Sequence, residues 1–197
     1  VNTSAGSILL SAPLTLRYAG VYNGIRITAP LAGTADVSVS NGTDTTSYVA
    51  TLSGTNTNTG RYLASAGRLM FSKRASLYNG DTSQWTAANL VATTSFGGFG
   101  FYVGSADEFT SADIDILKGL SDGTSTGGFG VGTRLVLVPT VNFTYSSDIA
   151  DTTNGALSIG VYTPFGGTTL SYITLTGNNT FSGGVVTSGG ATLRFAS

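Results

Sequence analysis

The sequence predicts an all-β fold: a parallel β-helix or β-solenoid with one short docked helix near residues 111–118. A β-sandwich or jelly roll is the alternative, especially for residues 1–60. Three observations lead there. Only 10% of the 197 residues are charged, while Gly (28), Thr (31) and Ser (23) dominate; an average soluble domain carries about 25% charged residues. Hydrophobic residues still make up 41% and aromatics 10%, enough for a core in one domain of this length. Finally, short apolar runs alternate with Asn, Gly and Pro, the grammar of strand, turn and strand.

The elements follow in order. Ile8-Leu9-Leu10 and Leu14-Thr15-Leu16 read as strands on either side of Pro13. Asn23-Gly24 is a tight-turn dipeptide before Ile25-Arg26-Ile27. Ala35 to Ser40 alternates with period two, and Tyr48 to Leu52 follows the Asn41-Gly42 turn. Residues 53–60 read S-G-T-N-T-N-T-G, an apolar-free stretch that suggests a loop or an internal boundary. Arg68 to Phe71 and Ala75 to Tyr78 are strand signals, and Phe96 to Val103 alternates aromatic residues with glycine. A helix is expected near residues 111–118, within the segment Phe109 to Gly119. Thr110 is its N-cap, Asp113 stands three residues on as in a capping box, and Gly119 suits the C′ position. Ile114 and Leu117 share the face that would dock. Ser121 to Gly132 is a second polar stretch, and Arg134 to Val138 is a strong strand stopped by Pro139.

Residues 173–195 read I-T-L-T-G-N-N-T-F-S-G-G-V-V-T-S-G-G-A-T-L-R-F. This stretch resembles the autotransporter-associated β-strand repeat of bacterial surface passengers. The resemblance is carried by Leu175, Thr176, Gly177, Asn179, Thr180, Phe181, Ser182, Gly183, Gly184, Gly190, Thr192 and Leu193. Val185 and Val186 replace a Thr pair of the family pattern, and Ala191 is an extra residue. Residues 67–155 look like the segment preceding such repeats, through 76–90, 108–117 and 142–151. Residues 1–60 show no resemblance. The resemblance implies a secreted or cell-surface bacterial protein built of stacked strands. One repeat cannot bury its own apolar face, so further repeats or another copy of the chain are expected to cover it.

Composition excludes several functions. A net charge of −1 leaves no basic footprint for nucleic acid, and no apolar run is long enough to span a bilayer as a helix. Without His or Cys there is no Ser-His-Asp triad, thiol nucleophile or zinc finger. No carboxylate pair is singled out for glycosidase chemistry, so no catalytic residue and no enzyme activity is expected. No cofactor is expected either. Asp107, Glu108, Asp113 and Asp115 are calcium candidates because hard cations take oxygen ligands; helix capping and solvent exposure are their other roles. Tyr18, Tyr22, Trp85, Phe99, Phe101 and Tyr102 offer either a sugar-stacking platform or ordinary core. Lys73-Arg74 reads as a solvated pair or an edge-strand guard.

The functional expectation is a structural extracellular protein, a self-associating subunit or segment of a fibre, stalk or layer. Its partners are other copies or neighbouring repeats, and its assembly residues are Ile8, Leu9, Leu10, Leu14, Leu16, Leu175, Phe181, Val185 and Leu193. Residues 1–18 are a candidate donor strand, with no charge before Arg17. The alternative is an adhesin passenger that binds a glycan or a host surface.

Overall fold

A computed structural model of the protein describes residues 6–17, 24–40, 49–164, 167 and 171–196. The chain first lays down β1 (Ile8–Leu10), β2 (Leu14–Leu16), β3 (Ile25–Ile27), β4 (Leu31–Gly33), β5 (Val37–Val39) and β6 (Val49–Leu52). There follow β7 (Tyr62–Ala64), β8 (Arg68–Phe71), β9 (Leu90–Ala92) and β10 (Gly98–Val103). The helix α1 (Ser111–Leu117) precedes β11 (Gly128–Phe129), β12 (Arg134–Pro139) and β13 (Phe143–Tyr145). Last come β14 (Ser158–Tyr162), β15 (Tyr172–Leu175), β16 (Val185–Ser188) and β17 (Thr192–Phe195).

These strands form four sheets. The largest runs β16-β14-β12-β10-β8-β6-β3, the second β11-β9-β7-β5-β2, the third β13-β15-β17, and β1 pairs with β4. Every pairing between these strands is parallel. Parallel neighbours need a crossover, and here it is the excursion through another sheet: the chain leaves β8, visits β9 and returns as β10.

The expectation of an all-β solenoid is corrected by this arrangement. The described residues have an α/β-type fold with several parallel sheets and one α-helix, and they form no closed solenoid. The physical reason is that successive layers are unequal. Along the large sheet Val49 pairs with Arg68, Arg68 with Gly98 and Gly98 with Arg134, each step longer in sequence than the last, and the helix lies in the longest of the three excursions. The second sheet ends at β11 and a separate sheet begins at β13. There the helix meets the new sheet: the Tyr145 hydroxyl donates to Asp115 at 2.6 Å, and Lys118 lies 5.3 Å from the centre of the Tyr145 ring. The sandwich or jelly-roll alternative is also overturned, because those folds are built from antiparallel pairs.

The core lies between the sheets. Leu52, Tyr62, Leu69, Phe71, Phe99, Phe101, Leu135 and Leu137 are fully buried in it. Its centre is aromatic: Phe71 stacks on Phe101 with centroids 5.9 Å apart, Phe101 meets Phe109 edge-on at 5.0 Å, and Trp85 packs on Phe109 at 5.7 Å. Ile114 and Leu117 dock α1 on this cluster. The helix opens on a capping box in which Thr110 and Asp113 exchange hydrogen bonds.

The polar stretch 53–60 is woven into the stack. Thr57 and Thr59 donate backbone hydrogen bonds to Leu31 and Gly33, and Asn56 and Asn58 are buried. Asn56 accepts from the Leu31 amide at 2.9 Å and donates to the Ser76 carbonyl at 2.7 Å, joining three layers.

Candidate functional site

Alternation along the large sheet makes two faces. In β10 the phenylalanines Phe99 and Phe101 enter the core, so Gly98 and Gly100 fall on the opposite face. In β14 Ile159 and Val161 point inward, leaving Ser158, Gly160 and Tyr162 on that second face. The missing Cβ atoms leave a trough that neighbouring side chains occupy. Met70 lies over Gly100, while the Arg134 stem and the Tyr162 ring lie over Gly160. Met70, Tyr102, Val136, Val138 and Tyr162 form a separate apolar cluster there.

Two arginines begin their strands on this face. Arg68 of β8 and Arg134 of β12 flank Gly98 in register, and Ser158 continues the row. Arg68 is only 2% exposed. Its guanidinium carbon stands 5.2 Å from the centre of the Tyr162 ring, and Arg134 Nη1 donates to the Tyr162 hydroxyl at 3.1 Å. Nε and Nη1 of Arg68 and Nε of Arg134 are buried without a hydrogen-bond partner. Among the described residues, neither arginine forms a salt bridge. Burial, aided by the nearby Arg134 charge, pulls the Arg68 pKa down to about 10, against the opposing influence of Tyr162. The two arginines line a groove with Ser95, Phe96, Ser158 and Val186.

The calcium candidates do not converge on one another. The Asp107 side chain is exposed, and its backbone carbonyl accepts from the Arg74 amide at 2.9 Å. Buried Glu108 accepts from the Ser105 amide and the Thr140 hydroxyl. Asp113 caps the helix and pairs with Arg74 Nε at 3.0 Å. Asp115 receives Tyr145, Ser147 and Lys118. Among the described residues, no group of three or more such side chains is placed to hold a metal ion.

The aromatic candidates divide similarly. Trp85, Phe99, Phe101 and Tyr102 are buried, while Tyr18 and Tyr22 lie outside the described residues. Arg74 of the basic pair reaches Asp113 and lies 5.3 Å from the centre of the Trp85 ring.

Of the assembly candidates, Leu10, Leu16 and Leu175 are core residues, and Leu14, Phe181 and Leu193 are half-buried against the core. Ile8 (41%), Leu9 (72%) and Val185 (43%) are exposed. The donor-strand candidate 1–18 is described only from 6 to 17, where β1 pairs with β4 and β2 with β5.

Sequence reasoning missed the arginine trough. Its signal was present: a lone arginine opens two otherwise apolar strands, R-L-M-F and R-L-V-L-V, and glycine alternates with phenylalanine in the strand between them.

Comparison of the chain with protein-family models, with curated proteins and with solved structures finds no match. Among the described residues, no helix is long and apolar enough to cross a membrane.

Proposed function

We propose that this chain is a structural, self-associating segment or subunit of a bacterial surface fibre, stalk or layer. The observation that carries the reading is the pair of edge strands β16 and β17. Among the described residues each has one side without a paired strand, and they expose Val185, Val186 and Phe195. Natural sheets protect such edges with charge, proline or a covering element. Here residues 152–197 carry one charge, Arg194, whose guanidinium lies 3.6 Å from the centre of the Tyr172 ring. Beside the edge, a recess is lined by Leu175, Thr176, Asn178, Phe181, Phe195 and Ala196. At the opposite end of the stack, Ile8 and Leu9 are exposed. A strand added at one end of a parallel stack repeats the contacts already made inside it, and head-to-tail contacts of this kind grow filaments when the rotation does not close.

The resemblance of residues 173–195 to autotransporter-associated repeats supports the cell-surface setting. The adhesin alternative draws less support, because the described aromatic candidates serve the core rather than an exposed platform.

Sedimentation velocity over a concentration series, with electron microscopy of the same samples, tests the reading. The expected outcome is concentration-dependent assembly that the edge substitution Val186→Lys weakens about tenfold or more. A strictly monomeric protein at high concentration overturns it.

A further inference from the structure

We propose that the trough between Arg68 and Arg134 is a binding site for a single oxyanion group, carboxylate, sulfate or phosphate, presented by a small molecule or a polymer. This goes beyond the structural role above and rests on Arg68 and Arg134, while its rim shares Val186 with the edge strand β16. Arg68 is 98% removed from solvent relative to full exposure, being 2% exposed, and its Nε and Nη1 have no partner. Buried polar groups in native proteins are hydrogen-bonded almost without exception, and a buried cation left unpaired is costly. A second guanidinium beside it, Arg134, also carries an unpartnered buried Nε. Two like charges therefore share one patch on which Tyr162 is the common contact. An aromatic ring and a hydroxyl soften this arrangement but supply no full negative charge.

An oxyanion resolves both deficits together. Guanidinium groups present planar forks of donors that match carboxylate, sulfate and phosphate oxygens. The room for one is the groove that both arginines line with Ser95, Ser158, Phe96 and Val186; the space over Gly98, between the arginine strands, is closed by the Arg134 backbone. Ser158 already donates to the Gly183 carbonyl at 2.6 Å, so the arginines are the charged donors of the site. Phe96, 47% exposed, and Val186 form an apolar rim against which the carrier of the anion would rest. The inner wall is rigid, since Arg68, Gly98, Arg134 and Ser158 are consecutive rungs of one sheet.

The test uses the full chain. Thermal melts in sodium sulfate, sodium phosphate and sodium acetate are compared with sodium chloride at matched ionic strength, followed by calorimetric titration of the ion with the largest effect. Sulfate and phosphate report a tetrahedral site, and acetate a planar one. The expected result is stabilisation by at least one oxyanion above chloride. Arg134→Gln should weaken its binding about tenfold or more, the loss of one charge-assisted hydrogen bond, and Arg68→Met should abolish it. Circular dichroism checks that both variants keep the native fold, and Arg134→Gln decides alone should Arg68→Met not fold. Equal stabilisation of wild type and variants is a general salt effect and overturns the proposal, as does an absence of any difference from chloride.

Discussion

Asn56 holds together more of this molecule than its size suggests. It stands in an apolar-free stretch, yet its side chain is fully buried and hydrogen-bonded to the backbone of two neighbouring layers. Asn154, also buried, fastens to a single neighbouring segment, donating to the Gly127 and Phe129 carbonyls and accepting from the Ser125 amide. Asn179 accepts from the Ile149 amide. An amide side chain suits the position because it carries both donors and an acceptor, and so can satisfy backbone groups that would otherwise be orphaned. Asn56→Ala is expected to cost about 2–4 kcal/mol, since a buried N–H and a buried carbonyl both lose a partner. Urea denaturation measures this, and a loss under about 1 kcal/mol would contradict the bridging role. The sequence carried a trace of it. In T-N-T-N-T-G the threonines are exposed and the alternate Asn and Gly residues are buried. That is strand-like period two, but hydrophobicity could not reveal it because the buried residues are polar.

At the scale of the element, glycine decides which strands stack and on which face. The F-G-G-F-G-F run of residues 96–101 alternates because β10 has two jobs. Its phenylalanines fill the core, while its glycines let neighbouring side chains lie flat across the other face. Gly97 differs from Gly100. A Cβ at Gly97 would overlap the backbone carbonyl of Ala64, whereas at Gly100 it would meet the flexible end of Met70. Gly97→Ala should therefore destabilise by about 1–3 kcal/mol or more, as overpacking against a fixed group does. Gly100→Ala should cost less than about 1 kcal/mol, because a thioether can move aside. Paired chemical melts of the two variants check the order. The helix was legible in detail, because its capping box and its apolar pair are local signals. The trough was not, since Arg68 and Arg134 become neighbours only across β10.

Taken whole, the molecule spends its few carboxylates on local fastening. Asp36 is held below the usual aspartate range by hydrogen bonds from Arg61. For Asp115, burial alone would raise the value, but hydrogen bonds from Lys118, Tyr145 and Ser147 outweigh it. Asp122 is lowered by Thr126 and Thr124, and Asp151 by Ser182 and the Leu157 amide. Each folded-state value lies below the ordinary 3.8, so the folded protein takes up these protons less readily than the unfolded chain. Their stabilisation is complete above that value and is lost as pH falls through the folded values. Melting temperature should therefore hold from about pH 7 to 5 and fall below about pH 4; thermal melts across that range test it, and no decline down to about pH 2 would contradict it. The sequence by itself determined that the chain is strand-rich, sparsely charged and glycine-cornered, because turn chemistry, alternation and capping act between residues close in the chain. Only the tertiary structure decided that the strands form several separate parallel sheets rather than one closed coil, and that two arginines share a trough. Closure depends on equal layer lengths and the trough on cross-strand register, and both are settled by contacts between residues tens of positions apart.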